Sequence, residues 1–191
     1  MTDLVPLIPR QPVPDLSVDV VGGGTWRLAA QRPANFSMVV FYRGRHCPQC
    51  QKQLTDLNRR MDDFARRGVE AIAISTDTRE RAEDAKAAWA LDRVPVGYGF
   101  SVRDARRWGL FVSTSRGKTS TGLEEPPLFS EPGIFLVRPD GTLYSSIVQT
   151  MPFVRLYFAE LLTALDSIVQ NDRPARGQVV ELDQAIAEAA V

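Results

Sequence analysis

The chain has 191 residues, 23 basic and 23 acidic side chains, one histidine and two cysteines. That length fits one domain, which can bury roughly 70% of its unfolded surface, so the core needs neither disulfide staples nor a metal. With 44% hydrophobic and 24% charged residues the composition is that of an ordinary globular protein. The zero formal charge gives no basic footprint for nucleic acid.

Residues 1–14 carry Pro6, Pro9, Pro12 and Pro14 and read as an extended lead-in without the charged start and apolar run of a signal peptide. Met38 to Tyr42 is among the longest apolar runs and is far too short to span a membrane. The expected location is the cytoplasm, where two cysteines are expected to be reduced, catalytic or metal-bound. Leu16 to Val20 alternates weakly, Gly22-Gly23-Gly24 turns the chain, and Thr25 to Leu28 returns it, which predicts an N-terminal β-hairpin. Ser37 to Tyr42 has the β-branched and aromatic content of a strand buried on both faces.

Cys47, Cys50, Leu54, Leu57, Met61 and Phe64 recur at spacings of 3, 4, 3, 4 and 3, one stripe of a helix. Pro48 suits its first position, Cys47 falls near the N-cap, and Gly68 is a natural stop. Val69 to Ile74 is a second buried strand, so residues 37–74 form a right-handed strand–helix–strand unit with a parallel pair. Asp77 and Glu80 predict a capping box for a helix running to about Trp89. Residues 113–132, rich in Ser, Thr, Gly and Pro, read as a loop insertion, a candidate lid over the thiols. Gly133–Val137 and Thr142–Val148 flank the turn sequence Arg138-Pro139-Asp140-Gly141 and predict an antiparallel hairpin. Val154, Phe158, Leu161, Leu165 and Ile168 mark a last long helix. The organisation is one domain over residues 1–172 and a tail, 173–191, with a short helix from Val180. The fold class is α/β, a central mixed β-sheet flanked by helices. Trp26, Trp89 and Trp108 are expected to pack.

The chemistry gathers in Arg43-Gly44-Arg45-His46-Cys47-Pro48-Gln49-Cys50. A helix N-terminus presents free N–H groups and the positive dipole end, which stabilise a thiolate. Arg43, Arg45 and His46 add positive charge with no acid close by in sequence, and all of these lower a cysteine pKa. The stripe puts Cys47 at the tip, expected to be the more exposed, and Cys50 one turn in and more buried. Two thiols at i and i+3 can close a disulfide, each resolving an intermediate on the other. A solvent-facing His46, solvated loop arginines and a strand-entry role for Pro132 are the plain structural readings. Structural zinc takes four ligands, and two cysteines with one histidine fall short unless a site is shared between subunits. Gly117-Lys118-Thr119 is not a phosphate loop, because Val112 stands where the motif needs glycine.

The segment from Val13-Pro14-Asp15-Leu16 through Phe41-Tyr42 and the Cys47–Cys50 motif to Ile134-Phe135-Leu136-Val137-Arg138-Pro139-Asp140-Gly141 resembles the peroxiredoxin-like (alkyl hydroperoxide reductase/thiol-specific antioxidant) family of the thioredoxin-fold superfamily. The resemblance covers roughly residues 10–172. It implies a thioredoxin-like fold and a thiol-dependent antioxidant oxidoreductase that reduces hydroperoxides through a dithiol/disulfide cycle. Aligned on Phe41-Tyr42, Cys50 falls on the family's peroxidatic cysteine, Cys47 on its threonine, Arg43 on its proline, and Pro132 near its assisting arginine. The thioredoxin pattern instead makes Cys47 the attacking thiol and Pro132 a cis-proline facing it. The alternatives are a thioredoxin-like protein disulfide reductase, a non-catalytic redox sensor or interaction module switched through the 113–132 loop, and metal storage or transfer. The implied partners are a hydroperoxide or disulfide substrate and a thioredoxin- or glutathione-type thiol reductant. A homodimer is compatible, and no nucleic acid, membrane or bound cofactor is expected.

Overall fold

The computed structural model describes residues 4–151 and 153–189. The chain enters as an extended lead-in tied down by a bridge between Pro12 and Thr142. β1 (Ser17–Val20) and β2 (Thr25–Arg27) form the expected antiparallel hairpin. β3 (Phe36–Phe41) is buried at every residue. Helices α1 (Pro48–Arg59) and α2 (Met61–Ala65) follow, then β4 (Val69–Ile74), parallel to β3. Next come α3 (Arg79–Ala88), β5 (Val96–Tyr98) and α4 (Val102–Arg107). β6 (Val112–Thr114) and β7 (Leu128–Ser130) make a separate two-stranded hairpin. β8 (Gly133–Val137) and β9 (Leu143–Val148) form the second expected hairpin. The chain ends with α5 (Phe158–Gln170) and α6 (Leu182–Ala189).

Seven strands form one mixed sheet in the order β2-β1-β5-β4-β3-β8-β9. β3 lies inside it, parallel to β4 and antiparallel to β8, so its backbone is paired on both edges. The period of two divides its side chains between two cores. Met38, Val40 and Tyr42 join the cluster that holds Leu54, Leu57 and Phe64 from α1–α2, Ala82 and Ala85 from α3, and Phe158, Leu162 and Leu165 from α5. Val39 and Phe41 face the cluster of Ile72, Ile74, Phe100, Ala105, Trp108 and Phe135, against which Leu7 and Val13 of the lead-in also pack. Each fully buried side chain of β3 contributes about 1.5–3 kcal/mol of apolar burial. β3 is thereby a rigid strand whose end positions the thiols. Among the described residues no helix is long and apolar enough to cross a membrane.

Several expectations are corrected. The single helix of the cysteine stripe breaks at Arg60 (φ −101°, ψ 7°), whose N–H bonds to Leu57 O, a tightened three-residue turn. The stripe survives the break, with Leu54, Leu57 and Phe64 all buried. Asp77 does not cap α3. Thr78 does, its Oγ1 accepting from Arg81 N at 3.4 Å, and Asp77 is turned inward. The last long helix starts at Phe158, and Val154 lies outside it and exposed. The 113–132 insertion is bounded by the β6–β7 hairpin. The tail helix starts at Leu182 and buries no residue, whereas Ala175 ahead of it is buried and its carbonyl accepts from Arg10 Nε. Trp89 and Trp108 are buried, and Trp26 packs partly buried against the second core.

Candidate active site at the start of α1

β3 runs into the loop Arg43–Cys47, which turns sharply enough to need glycine at position 44. Gly44 has φ +132°, and a Cβ there would stand 2.7 Å from Asp77 Oδ1. Asp77 occupies that space because it serves the loop. Its Oδ2 accepts from Arg45 N at 2.6 Å and its Oδ1 from Arg81 Nε at 2.9 Å. Burial raises the Asp77 pKa, against the lowering by the Arg45 N–H and Arg81. One buried carboxylate thus ties the thiol loop to the start of α3.

Cys47 is the N-cap of α1, with extended backbone, and Pro48 is at the first helical position. The Cys47 sulfur does what a serine or aspartate oxygen does at an N-cap: it accepts from Cys50 N, at 3.2 Å. The Cys50 thiol donates to the same sulfur, the largest influence on Cys47; burial opposes it, and the Cys50 N–H, Arg155 and Arg43 assist. The Cys47 pKa falls to about 6. Cys50 moves the other way, well above its usual value, because it is buried, donates to Cys47 and would share space with its negative charge. The two thiols are thereby unequal, Cys47 lowered and Cys50 raised. Both are free thiols.

The expected exposure of Cys47 is not found. It is 1% exposed and Cys50 0%. Part of the cover is Arg155, which reaches in from the segment between β9 and α5. Its Nη2 stands 3.9 Å from Cys47 Sγ and 4.0 Å from Cys50 Sγ. Its Nη1 donates to the carbonyls of Met151 and Val154, and its Nε is buried without a hydrogen-bond partner. Sequence reasoning missed Arg155. The available signal was a lone arginine inside the otherwise apolar stretch Met151–Tyr157.

The expectation that Arg43 and Arg45 crowd the thiols unopposed is also corrected, since folding brings acids from afar. Arg43 pairs with Glu125 at 3.1 Å and Glu131 at 3.4 Å, and lies over the Phe129 ring. Arg45 pairs with Asp84 at 2.7 Å. His46 is fully buried edge-on to Phe129; neither ring nitrogen has a hydrogen-bond partner, and Nε2 stands 4.0 Å from Glu125 Oε1. Burial, then Arg43 and Arg81, lower its pKa to about 3, so it is neutral and adds no positive charge. The 113–132 insertion therefore contacts Arg43 and His46, while the group at hydrogen-bonding range of both sulfurs is Arg155. The Pro132 peptide is trans, not cis; the described residues contain no cis peptide bond. Pro132 O accepts from Gln149 N at 3.2 Å, in the β8–β9 pairing. Among the described residues no three His, Cys, Asp or Glu side chains converge as a metal site.

The comparisons with known proteins agree with this architecture. The family model described as AhpC/TSA family matches residues 9–146. A comparison with curated proteins finds no match. Among solved structures, the peroxidoxin BcpB of Mycobacterium tuberculosis is similar with a TM-score of 0.66 at 18% identity, over 85% of this chain and 98% of that one. The Enterococcus faecalis AhpC gives 0.67 at 18% identity, over 88% and 98%. The 2-Cys peroxiredoxin of Plasmodium vivax gives 0.69 at 15% identity, over 87% and 84%. A family model covering well over half of the sequence, on a thioredoxin-type sheet with a dithiol at the start of α1, settles the matter: the chain belongs to the AhpC/TSA family of peroxiredoxin-like thiol oxidoreductases.

Proposed function

We propose that this protein reduces hydroperoxides through a Cys47–Cys50 dithiol/disulfide cycle in which Cys47 attacks first. The observation that carries the assignment is the split between the thiols: Cys47 is lowered to about 6 and Cys50 is raised. At pH 7 a pKa near 6 means about 90% thiolate, against roughly 3% for an ordinary cysteine. Nucleophilicity falls by about 10- to 18-fold over the same change, so the low pKa alone gives only a two- to threefold gain. The remainder of the rate has to come from placing the peroxide and stabilising the departing oxygen. The Arg155 guanidinium is the group in position for that.

The Cys47 thiolate attacks the peroxide oxygen, the O–O bond breaks, and the leaving alkoxide takes a proton from water. Cys47 becomes a sulfenic acid. The Cys50 thiol then attacks the Cys47 sulfur and releases water, forming the disulfide. Two electrons and two protons from an external thiol restore the dithiol. Disulfide exchange in an oxidised protein is the second reading. It is favoured by the same asymmetry, because the attacking thiol is the first of the motif. The site supports a cytoplasmic role, where a thiol pool keeps such a pair reduced.

Stopped-flow mixing of reduced protein with hydrogen peroxide tests the order of attack. Cys50→Ser is expected to form a sulfenic acid, trapped by dimedone, without a disulfide. Cys47→Ser is expected to lose the fast oxidation. Fast oxidation retained in Cys47→Ser and lost in Cys50→Ser would overturn the assignment. Slow reaction of the wild type with peroxide but fast reaction with a protein disulfide would favour the second reading.

A further inference from the structure

A crevice of about 270 Å³ lies on the face of the sheet opposite the dithiol, where the lead-in crosses the end of α4. The lead-in contributes Leu4 and Leu7, the chain after α4 Phe111, and the β8–β9 hairpin Phe135 and Val148. The lead-in is laid tightly over Gly109, where a Cβ would stand 3.0 Å from Val5 O. Every lining side chain is apolar or aromatic except Ser146, which is exposed, and none is charged. One lining group is out of keeping with the rest. Trp108 is 0% exposed, and among the described residues its indole N–H is buried without a hydrogen-bond partner. The ring is not free to turn and find one. Phe41 and Phe135 stand against it at 5.4 and 5.1 Å between centroids, Phe135 at an interplanar angle of 90°.

A buried donor without a partner is a standing cost to the folded chain, recovered when an acceptor reaches it. Water is a poor candidate, because a held water needs about two to four polar partners and this lining is otherwise apolar. An apolar cavity of about 150 Å³ takes up benzene, so the larger crevice has room for about ten non-hydrogen atoms. A carboxylate or an ammonium is a poor fit, since no charged group in the lining would offset its desolvation. We infer that the crevice binds a neutral apolar molecule of about that size with one hydrogen-bond acceptor, of the class of aromatic and medium-chain ketones and aldehydes. Its carbonyl oxygen accepts from Trp108 Nε1, and its hydrocarbon part packs against Leu7, Phe111 and Val148. The site lies on the other side of β3 from the thiols and does not rest on the dithiol cycle proposed above.

The test uses reduced, isotopically labelled full-length protein, in which the indole N–H groups of Trp26, Trp89 and Trp108 give separate NMR signals. Trp26→Phe and Trp89→Phe assign them. Acetophenone, ethylbenzene and benzoate are then titrated: similar in size, the first neutral with an acceptor, the second without one, the third charged. Acetophenone is expected to move the Trp108 indole proton downfield to saturation, as a new hydrogen bond does. It should bind about five- to tenfold more tightly than ethylbenzene, the net worth of one hydrogen bond. Benzoate should leave the signal in place. Ser146→Phe fills the exposed rim and is expected to weaken acetophenone about tenfold, with circular dichroism unchanged. The probe series on the wild type is decisive by itself, because it needs no variant to fold. No Trp108 shift with acetophenone up to its solubility would overturn the inference. Equal affinity for ethylbenzene would remove the indole from the site, and benzoate binding as tightly as acetophenone would refute a neutral ligand. A Trp108 signal that moves with protein concentration alone would make the crevice a contact between two copies of the chain, and the small-molecule assignment would fall.

Discussion

Replacing Arg155 with alanine tests how the thiolate is stabilised. At about 4 Å two unit charges interact by about 1 kcal/mol in water-like surroundings and about 4 kcal/mol at an effective dielectric of 20. Arg155 is partly exposed, its Nη2 is 3.9 Å from Cys47 Sγ, and it ranks behind the two hydrogen bonds from Cys50 in lowering the Cys47 pKa. The low end therefore applies, and about 1.4 kcal/mol corresponds to one pH unit. The Cys47 titration midpoint should rise from about 6 by about one pH unit in Arg155→Ala. Arg155→Lys, which keeps the charge, should recover part of the difference. The assay is the ultraviolet absorbance of the thiolate against pH, in a Cys50→Ser background to remove the second thiol and again in the intact dithiol. A midpoint is a better readout than an alkylation rate, because the more basic thiolate is roughly threefold more nucleophilic and offsets its lower population. The peroxide rate then separates two roles. If Arg155 acts only through the pKa, oxidation at pH 7 changes by about twofold or less. A much larger loss shows that the guanidinium also stabilises the leaving oxygen. A midpoint that stays put or falls in Arg155→Ala would refute the reasoning.

Two further substitutions test the loop that carries the thiols. His46 is held neutral, with a folded-state pKa of about 3 against 6.5 unfolded. The unfolded chain therefore binds the extra proton between those values, and stability falls as pH drops from 6.5 towards 3, by up to about 4 kcal/mol. His46→Phe should flatten the pH dependence of the urea midpoint across that window; an unchanged slope would show that His46 is not its source. Gly44→Ala combines a positive φ with a Cβ 2.7 Å from the Asp77 carboxylate. It should cost about 2–4 kcal/mol by urea denaturation and raise the Cys47 titration midpoint as the loop shifts; a loss below 1 kcal/mol would mean that the turn is loose.

The dithiol is local information. Pro48 at the first helical position, the cysteine stripe and the apolar run ahead of it all lie within thirty residues of one another, so pattern alone places them. What closes over the dithiol is not local. Glu125, Glu131 and Arg155 come to it across about 80 to 110 residues of chain, and no periodicity marks such a meeting. β5 and α4, at three and six residues, are too short for a hydrophobic period to show. The split between Cys47 and Cys50 lay between the two levels. Their spacing allows either to attack first; the proposed order, Cys47 before Cys50, rests on the hydrogen bonding between them. The apparent excess of positive charge around the motif illustrates the same limit, because Asp77, Asp84 and Glu125 neutralise it from elsewhere in the chain.

The placement of Cys50 one helical turn behind Cys47 has a consequence for endurance under oxidant. In the proposed cycle the sulfenic acid on Cys47 forms with its resolving thiol already in contact. An intramolecular partner so placed acts as if present at very high concentration, while a second peroxide must arrive from dilute solution. Closure to the disulfide then outruns further oxidation to sulfinic acid, which thiols cannot reverse. Because both sulfurs sit on the same turn, closure also asks little of the backbone. The protein should tolerate bursts of peroxide that would inactivate an enzyme whose second thiol has to travel.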